Sequence, residues 1–251
     1  MGALAPALSL CCAAALSCQD PDSESRAAED VVVRTQSMTA IVKLPERFGG
    51  SKTYTMIVAL HGSGGTAEGF APAFSSFASE SVVVAVPQGE FESPPGHYSW
   101  FYNTSDSSLW ASYDTRSVGD LVELISEIRG RYRINRVVVL GFSQGATLAY
   151  MIGLLNPSLV SGVVAVSGYM PEVDGFGSIV HSGDVADARS VRLYIARGSS
   201  DSYVPREAFV TQRDYFASRG YSVTSLEYDG NHYLTDEMLW QVLLWLKVHP
   251  W

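Results

Sequence analysis

The chain has 251 residues, 47% of them hydrophobic, which suits one folded domain with a tail. Its formal net charge of −9 argues against a nucleic-acid surface, which needs clustered Lys and Arg. All three cysteines, Cys11, Cys12 and Cys18, precede residue 19, so the body of the chain forms no internal disulfide and must hold by packing.

Residues 1–18, MGALAPALSLCCAAALSC, carry no charge and have the apolar length of a secretory signal, too short to span a bilayer. A signal peptide over 1–18 is the expectation, with a frayed or misassigned start as the bland alternative. The ending Ala15-Leu16-Ser17-Cys18 resembles a bacterial lipobox, whose cysteine becomes the lipid-bearing first residue. It departs from that pattern in having Ala15 where leucine is usual, and no Lys or Arg ahead of the run. The expected location is outside the cytoplasm, either secreted or anchored at Cys18 in a bacterial envelope, and that anchor is the one membrane contact expected. Residues 19–30, QDPDSESRAAED, are polar and acidic and read as a flexible tether to a domain over 31–251.

Beyond the tether, short β-branched runs alternate with helical patterns. VVVRTQSMTAIVKL reads as an edge hairpin, followed by YTMIVAL, SVVVAVP, RVVVL, GVVAVS, VRLYIA and YSVTSLEY. Such continuous apolar runs suit strands covered on both faces. Amphipathic segments near 66–79, 115–131, 144–155, 205–219 and 235–248 separate them. The alternation predicts an α/β fold, a mostly parallel central sheet with helices on both faces. In such sheets ligands gather beyond the carboxyl ends of the strands, which directs attention to Ser63 and its neighbours, Ser143, Asp201 and His232.

Between Lys52 and Arg116 there is no Lys or Arg, while Glu68, Glu80, Glu90, Glu92, Asp106 and Asp114 fall inside the gap. The stretch is either a solvated acidic face or the lining of a site that repels anions.

In VVVLGFSQGATLAY, Ser143 stands between Gly141 and Gly145 where an apolar strand turns into a helix. A serine hydroxyl becomes a competent nucleophile when a base takes its proton and donors hold the resulting oxyanion. A tight strand-to-helix turn exposes the hydroxyl, turns the next N–H groups toward the same point and adds the partial positive charge of the helix start. The pentapeptide alone is common, and a plain turn serine is the alternative; the flanking strand and helix patterns raise its value.

The base is expected later in the chain, with its acid between, as this turn chemistry requires. Of the histidines after Ser143, His249 sits at the chain end beside Pro250, and His181 lies in the Gly- and Asp-rich GFGSIVHSGD. His232, in YDGNHYLTDE directly after the last strand pattern, is the candidate. Asp201 follows the penultimate strand in VRLYIARGSSDSYVP and is preferred over Asp174, Asp184, Asp187 and Asp229, although a capping or salt-bridged role for it stays open. The Gly-rich loop of IVALHGSGG offers a second oxyanion donor, the N–H of Ser63, to work with that of Gln144.

Four motifs together, LHGSGG (60–65), GFSQGA (141–146), VSGYMP (166–171) with SWF (99–101), and the pair GSSDSYVP and GNHY, resemble the acyl-protein thioesterase, carboxylesterase and phospholipase group of α/β-hydrolases. The resemblance spans about residues 50–248. It implies the α/β-hydrolase fold, a triad of Ser143, Asp201 and His232, and main-chain donors at Ser63 and Gln144. It also makes Trp100, Phe101, Tyr169 and Met170 the candidate substrate contacts. Ala146 stands where the group usually has a third glycine, and Ser63 where leucine is common. Both donors are backbone groups, so neither change removes the chemistry.

The implied function is a serine hydrolase cleaving carboxylic esters, or thioesters, through an acyl-enzyme, with no metal and no cofactor. The expected partner is a small neutral ester, because the acidic gap would disfavour anions. Phe91, Tyr98, Trp100, Phe101 and Tyr102 either bind an acyl or aryl group or pack as ordinary core. Secreted feruloyl esterases and polyester depolymerases of the same fold are a second resemblance. A serine peptidase and a binding protein that has lost turnover are the remaining alternatives.

Overall fold

The structure is a computed structural model that describes residues 30–248 other than 47, 50–51, 80–81, 93 and 103–105. The expected signal peptide, Cys11, Cys12, Cys18, the tether up to residue 29, Glu80 and His249 lie outside the described residues.

Among the described residues, ten strands and six α-helices follow one another along the chain. The hairpin of β1 (Asp30–Arg34) and β2 (Thr39–Lys43) comes first among the described residues, so Asp30, the last residue of the stretch read as tether, belongs to a strand. Next come β3 (Tyr54–Leu60), α1 (Ala67–Phe70) running into a 3-10 helix (Ala71–Ser79), and β4 (Val82–Pro87). The short strands β5 (Phe91–Glu92) and β6 (Tyr98–Ser99) precede α2 (Trp110–Arg131). The remainder alternates: β7 (Ile134–Phe142), α3 (Gln144–Leu155), β8 (Gly162–Val166), α4 (Ser182–Asp187), β9 (Arg192–Gly198), α5 (Arg206–Ala217), β10 (Val223–Tyr228) and α6 (Asp236–Val248).

Eight strands form one sheet in the order β1-β2-β4-β3-β7-β8-β9-β10. The β1–β2 and β2–β4 pairs are antiparallel, and every pair from β4 to β10 is parallel. Period-2 alternation sorts each central strand between two cores. Met56, Val58, Val137 and Val139 face α2, α3 and α5, whereas Ile57, Ala59, Val138 and Leu140 face the 67–77 segment and α6. Both faces being covered explains why these strands read as unbroken apolar runs.

Three local differences from the sequence reading have physical causes. The segment expected as a helix over 66–79 holds one α-turn, capped by Thr66 Oγ1 accepting from the Gly69 N–H at 2.9 Å, and then narrows to 3-10 geometry around Pro72, which cannot donate the α-helical bond. α2 starts at Trp110 rather than 115, because Trp110, Tyr113 and Asp114 turn toward a cavity and so break the core-facing pattern at that end. α4 forms inside the Gly- and Asp-rich stretch, where the Asp184 carboxylate accepts the His181 N–H at 2.8 Å and caps the helix.

Candidate active site

Ser143 sits between β7 and α3 with φ 55° and ψ −117°, a conformation a non-glycine residue holds only when its surroundings impose it. Those surroundings are backbone. A methyl on Gly145 would lie 2.5 Å from the Leu60 carbonyl and 2.7 Å from that of His61, and one on Gly141 would overlap the Gly145 carbonyl. The turn is tied to the sheet by the Ser143 N–H donating to Val166 O at 2.9 Å, and the first turn of α3 by the Ala146 N–H donating to Ser143 O at 2.9 Å. Ala146, the departure from the family pattern, puts its methyl in the buried core.

The parallel order of β9 and β10 brings the loops after them side by side. His232 Nε2 stands 3.0 Å from Ser143 Oγ, and His232 Nδ1 stands 2.9 Å from Asp201 Oδ2. An ionised carboxylate can only accept, so Nδ1 carries the proton and the lone pair of Nε2 faces the serine hydroxyl. The imidazole lies between the rings of Phe142 and Tyr203, whose centroids are 4.9 and 4.7 Å away.

The Asp201 side chain has no solvent exposure. Burial pushes its proton affinity up, yet hydrogen bonds from His232, the Val204 N–H, the Ser167 hydroxyl and the Tyr203 N–H together outweigh it and hold the carboxyl below the usual aspartate value. The Tyr203 and Val204 donors reach Oδ1 at 2.9 and 3.0 Å. Ser167, at the end of β8 with φ 49°, is a support that sequence reasoning did not assign.

The loop after β3 is locked from below. Gly89 donates its N–H to His61 Nε2 at 3.1 Å, so His61 Nδ1 carries a proton and gives it to Gly62 O at 2.8 Å. Burial lowers the proton affinity of His61, with the Gly62 carbonyl partly opposing, so this histidine stays neutral and structural. Gly64 and Tyr98 exchange main-chain bonds through Gly64 N to Tyr98 O at 2.8 Å and Tyr98 N to Gly65 O at 3.2 Å. Ser63 Oγ meets Ser99 Oγ at 3.0 Å. This places the Ser63 main chain close to the Ser143 side chain: a methyl built on adjacent Gly62 would touch Ser143 Cβ at 3.3 Å. Gln144 opens α3, where the first N–H groups have no partner within the helix. Its side chain binds the opposite wall, accepting from Trp100 N at 2.8 Å and donating to Phe101 O at 3.2 Å.

Two cavities meet at Phe101 and Thr147. The nearer, about 340 Å³, is lined by Ser143, Gln144, Tyr169, Tyr203, Val204 and His232 among others. The farther, about 270 Å³, takes in Tyr102, Trp110, Tyr113, Asp114, Met151 and Met170. Of the expected substrate contacts, Phe101 lines both, Tyr169 the first and Met170 the second. Trp100 lines neither: it is fully buried, its indole N–H donates to His61 O at 2.7 Å, and it acts as a wedge under the glycine loop. Thr147 and Met151 were missed, although their spacing of four and eight residues from Ser143 puts all three on one helix face. Tyr203, in the loop between β9 and α5, left no periodic signal.

The chain matches the family described as phospholipase/carboxylesterase over residues 48–249. It is 28% identical to acyl-protein thioesterase 1 of Yarrowia lipolytica over 135 residues, 52% of this chain and 58% of that protein, and so spans a little over half of that relative's length. Its fold is similar to a carboxylesterase from Mesorhizobium loti, with TM-score 0.70, 16% identity, and coverage of 88% of this chain and 99% of the other. A Bacillus cereus carboxylesterase gives TM-score 0.67, 18% identity, and coverage of 84% and 94%. At those identities the likeness to solved structures carries the fold, while the match over 48–249 carries the kinship: the chain belongs to the phospholipase/carboxylesterase family, built on an α/β-hydrolase fold.

Proposed function

We propose that this protein is a serine hydrolase that cleaves carboxylic esters through an acyl-enzyme. The observation that carries the reading is the unbroken relay from Ser143 Oγ through His232 to the buried Asp201, with contacts of 3.0 and 2.9 Å. In this scheme Ser143 Oγ attacks the ester carbonyl while His232 Nε2 takes its proton. Asp201 keeps the imidazole in the required tautomer and stabilises its charge. The N–H groups of Ser63 and Gln144 receive the oxyanion, a kind of contact worth about 10²–10³ in rate per donor. His232 returns the proton to the departing alcohol, and water, activated by the same histidine, releases the acid.

A fluorophosphonate should label the protein once, on Ser143, and Ser143→Ala should abolish both labelling and turnover of p-nitrophenyl esters; retained turnover in that variant would refute the assignment. Because the Yarrowia relative bears the name of a thioesterase, thioesters belong in the substrate panel beside oxygen esters from acetate to palmitate and a feruloyl ester.

The preferred ester is neutral. Asp114 and Glu172 line the farther cavity, and among the described residues no Lys or Arg lines either one. A p-nitrophenyl ester should therefore turn over faster than its carboxylated analogue, with the gap narrowing as salt is added. Equal rates at low salt would defeat the charge argument.

A further inference from the structure

The farther cavity is a ring-walled chamber with two carboxylates in its lining, the exposed Glu172 at its edge and the buried Asp114. Phe101, Tyr102, Trp110 and Tyr113 supply the rings and Met151 and Met170 the apolar remainder. Phe91, Tyr102 and Tyr113 pack on one another with centroids 4.8–5.6 Å apart, which stiffens one wall. α2 brings Trp110, Tyr113, Asp114 and Ser117 to a single face, and the Ser117 hydroxyl donates to the carbonyl of Trp100, clamping that face beside Phe101.

Asp114 is 9% exposed, and among the described residues nothing donates a hydrogen bond to its carboxylate or pairs with it. Of the other buried carboxylates near the cleft, Asp201 has four donors, and Glu90 has the charge of Arg116, Nε at 2.7 Å, beside it although neither of its oxygens has a hydrogen bond among the described residues. A buried acid without a partner destabilises a fold by about 1–3 kcal/mol or more, so a chain that keeps one in the wall of a cavity has left it for a ligand.

Resting on the serine-esterase reading above, we propose that Asp114 is a specificity-determining residue that accepts a hydrogen bond from a hydroxyl at the far end of an aryl acyl group. The rings favour an aryl body over a plain alkyl chain through offset and edge contacts. Reach is set by α3: Thr147, shared by both cavities, is four residues from Ser143, and Met151, in the farther one, is eight. At a rise of 1.5 Å per residue these lie about 6 and 12 Å along the axis from the nucleophile. An arylpropanoyl group with a para substituent covers that interval. A hydroxyl suits Asp114 in either protonation state, because it can donate to the carboxylate or accept from the acid. An ammonium can serve only the ionised form, and burying both charges removes both from water.

The test uses p-nitrophenyl esters of phenylpropanoate bearing para-hydroxyl, para-methyl or para-aminomethyl groups. In the wild type, kcat/KM for the hydroxyl ester should exceed that for the methyl ester. Asp114→Leu should shift that ratio toward methyl by about tenfold, the worth of one hydrogen bond to a charged group, and Asp114→Asn, which keeps an acceptor oxygen, should fall between. Calorimetric binding of the intact esters to Ser143→Ala and to Ser143→Ala/Asp114→Leu should show the same shift without turnover. An unchanged hydroxyl-to-methyl ratio in folded Asp114→Leu and Asp114→Asn would overturn the proposal, as would preference for the aminomethyl ester. Should the binding ratio depend on Asp114 while Ser143→Ala keeps full turnover, the catalytic assignment fails and the ligand preference of this chamber stands.

Discussion

Two buried carboxylates lie on the same cleft and are treated in opposite ways. Asp201, in the loop between β9 and α5, is surrounded by donors from three separate elements and kept ionised. Asp114, near the start of α2, lines a mostly aromatic and apolar cavity without a donor of its own, and burial pushes its carboxyl up to about 6. The first is a charge the fold has already solvated with its own dipoles, ready to meet an imidazolium at no reorganisation cost. The second is a charge the fold has left unsolvated. What distinguishes a carboxylate preorganised for chemistry from one left for recognition is thus the number of donors around it.

The largest effect should come from removing the first carboxylate's charge. Asp201→Asn keeps the shape but presents an amide N–H where His232 Nδ1 also has one, so the imidazole turns to the wrong tautomer and kcat should fall by about 10⁴ in steady-state assays. A fall of less than tenfold would mean that Asp201 is not the partner that matters. Stability of this variant should change far less than activity, which thermal unfolding measures.

A smaller effect, opposite in sign, should come from Asp114→Leu. The native carboxyl titrates near 6 and the unfolded one near 3.8, so between those values the folded state holds the extra proton. Wild-type stability therefore falls as pH rises through that window, and the whole penalty is present above it. Asp114→Leu should raise Tm, most at pH 7 and little at pH 4. About 1 kcal/mol corresponds to roughly 2–4 °C in a domain this size. Glu90, raised to about 7 by burial and by adjacent Asp120, titrates in both proteins, so the difference between their pH profiles isolates Asp114. A gain independent of pH would mean that shape, not charge, was relieved.

The smallest effect concerns Tyr150, buried on α3 and stacked on Phe216 of α5, with no partner for its hydroxyl among the described residues. Tyr150→Phe removes that unsatisfied group without changing the ring and should stabilise by about 1 kcal/mol in urea unfolding, at unaltered ester turnover. Destabilisation instead would reveal a buried water at the hydroxyl. The comparison becomes quantitative in this order: the largest change is expected in activity at the satisfied carboxylate, and gains in stability are expected where unsatisfied polar atoms are removed.

Much of this could be read from the chain before folding. The runs YTMIVAL and SVVVAVP became β3 and β4 because seven and six consecutive buried positions leave no other use for such residues. Ser143, Asp201 and His232 were legible because each follows a strand pattern, and a parallel sheet collects everything that follows its strands at one edge. The two short strands β5 and β6 were not, since two-residue pairing leaves no periodic trace. Trp100 looked like a substrate contact beside Phe101, yet its indole is drawn under the glycine loop by the bond to His61 O, and only Phe101 reaches the cavity.

Sequence alone therefore determined the parallel sheet, its two covered faces and the trio of side chains at its carboxyl edge, because all of these follow from local periodicity and from order along the chain. Tertiary structure decided that Asp114 ends among rings without a donor, that Ser167 supports Asp201, and that α3 leads from Ser143 through Thr147 to Met151 into a ring-walled cavity. Those relations join elements distant in the chain, and burial and hydrogen-bond supply exist only once the elements have packed against one another.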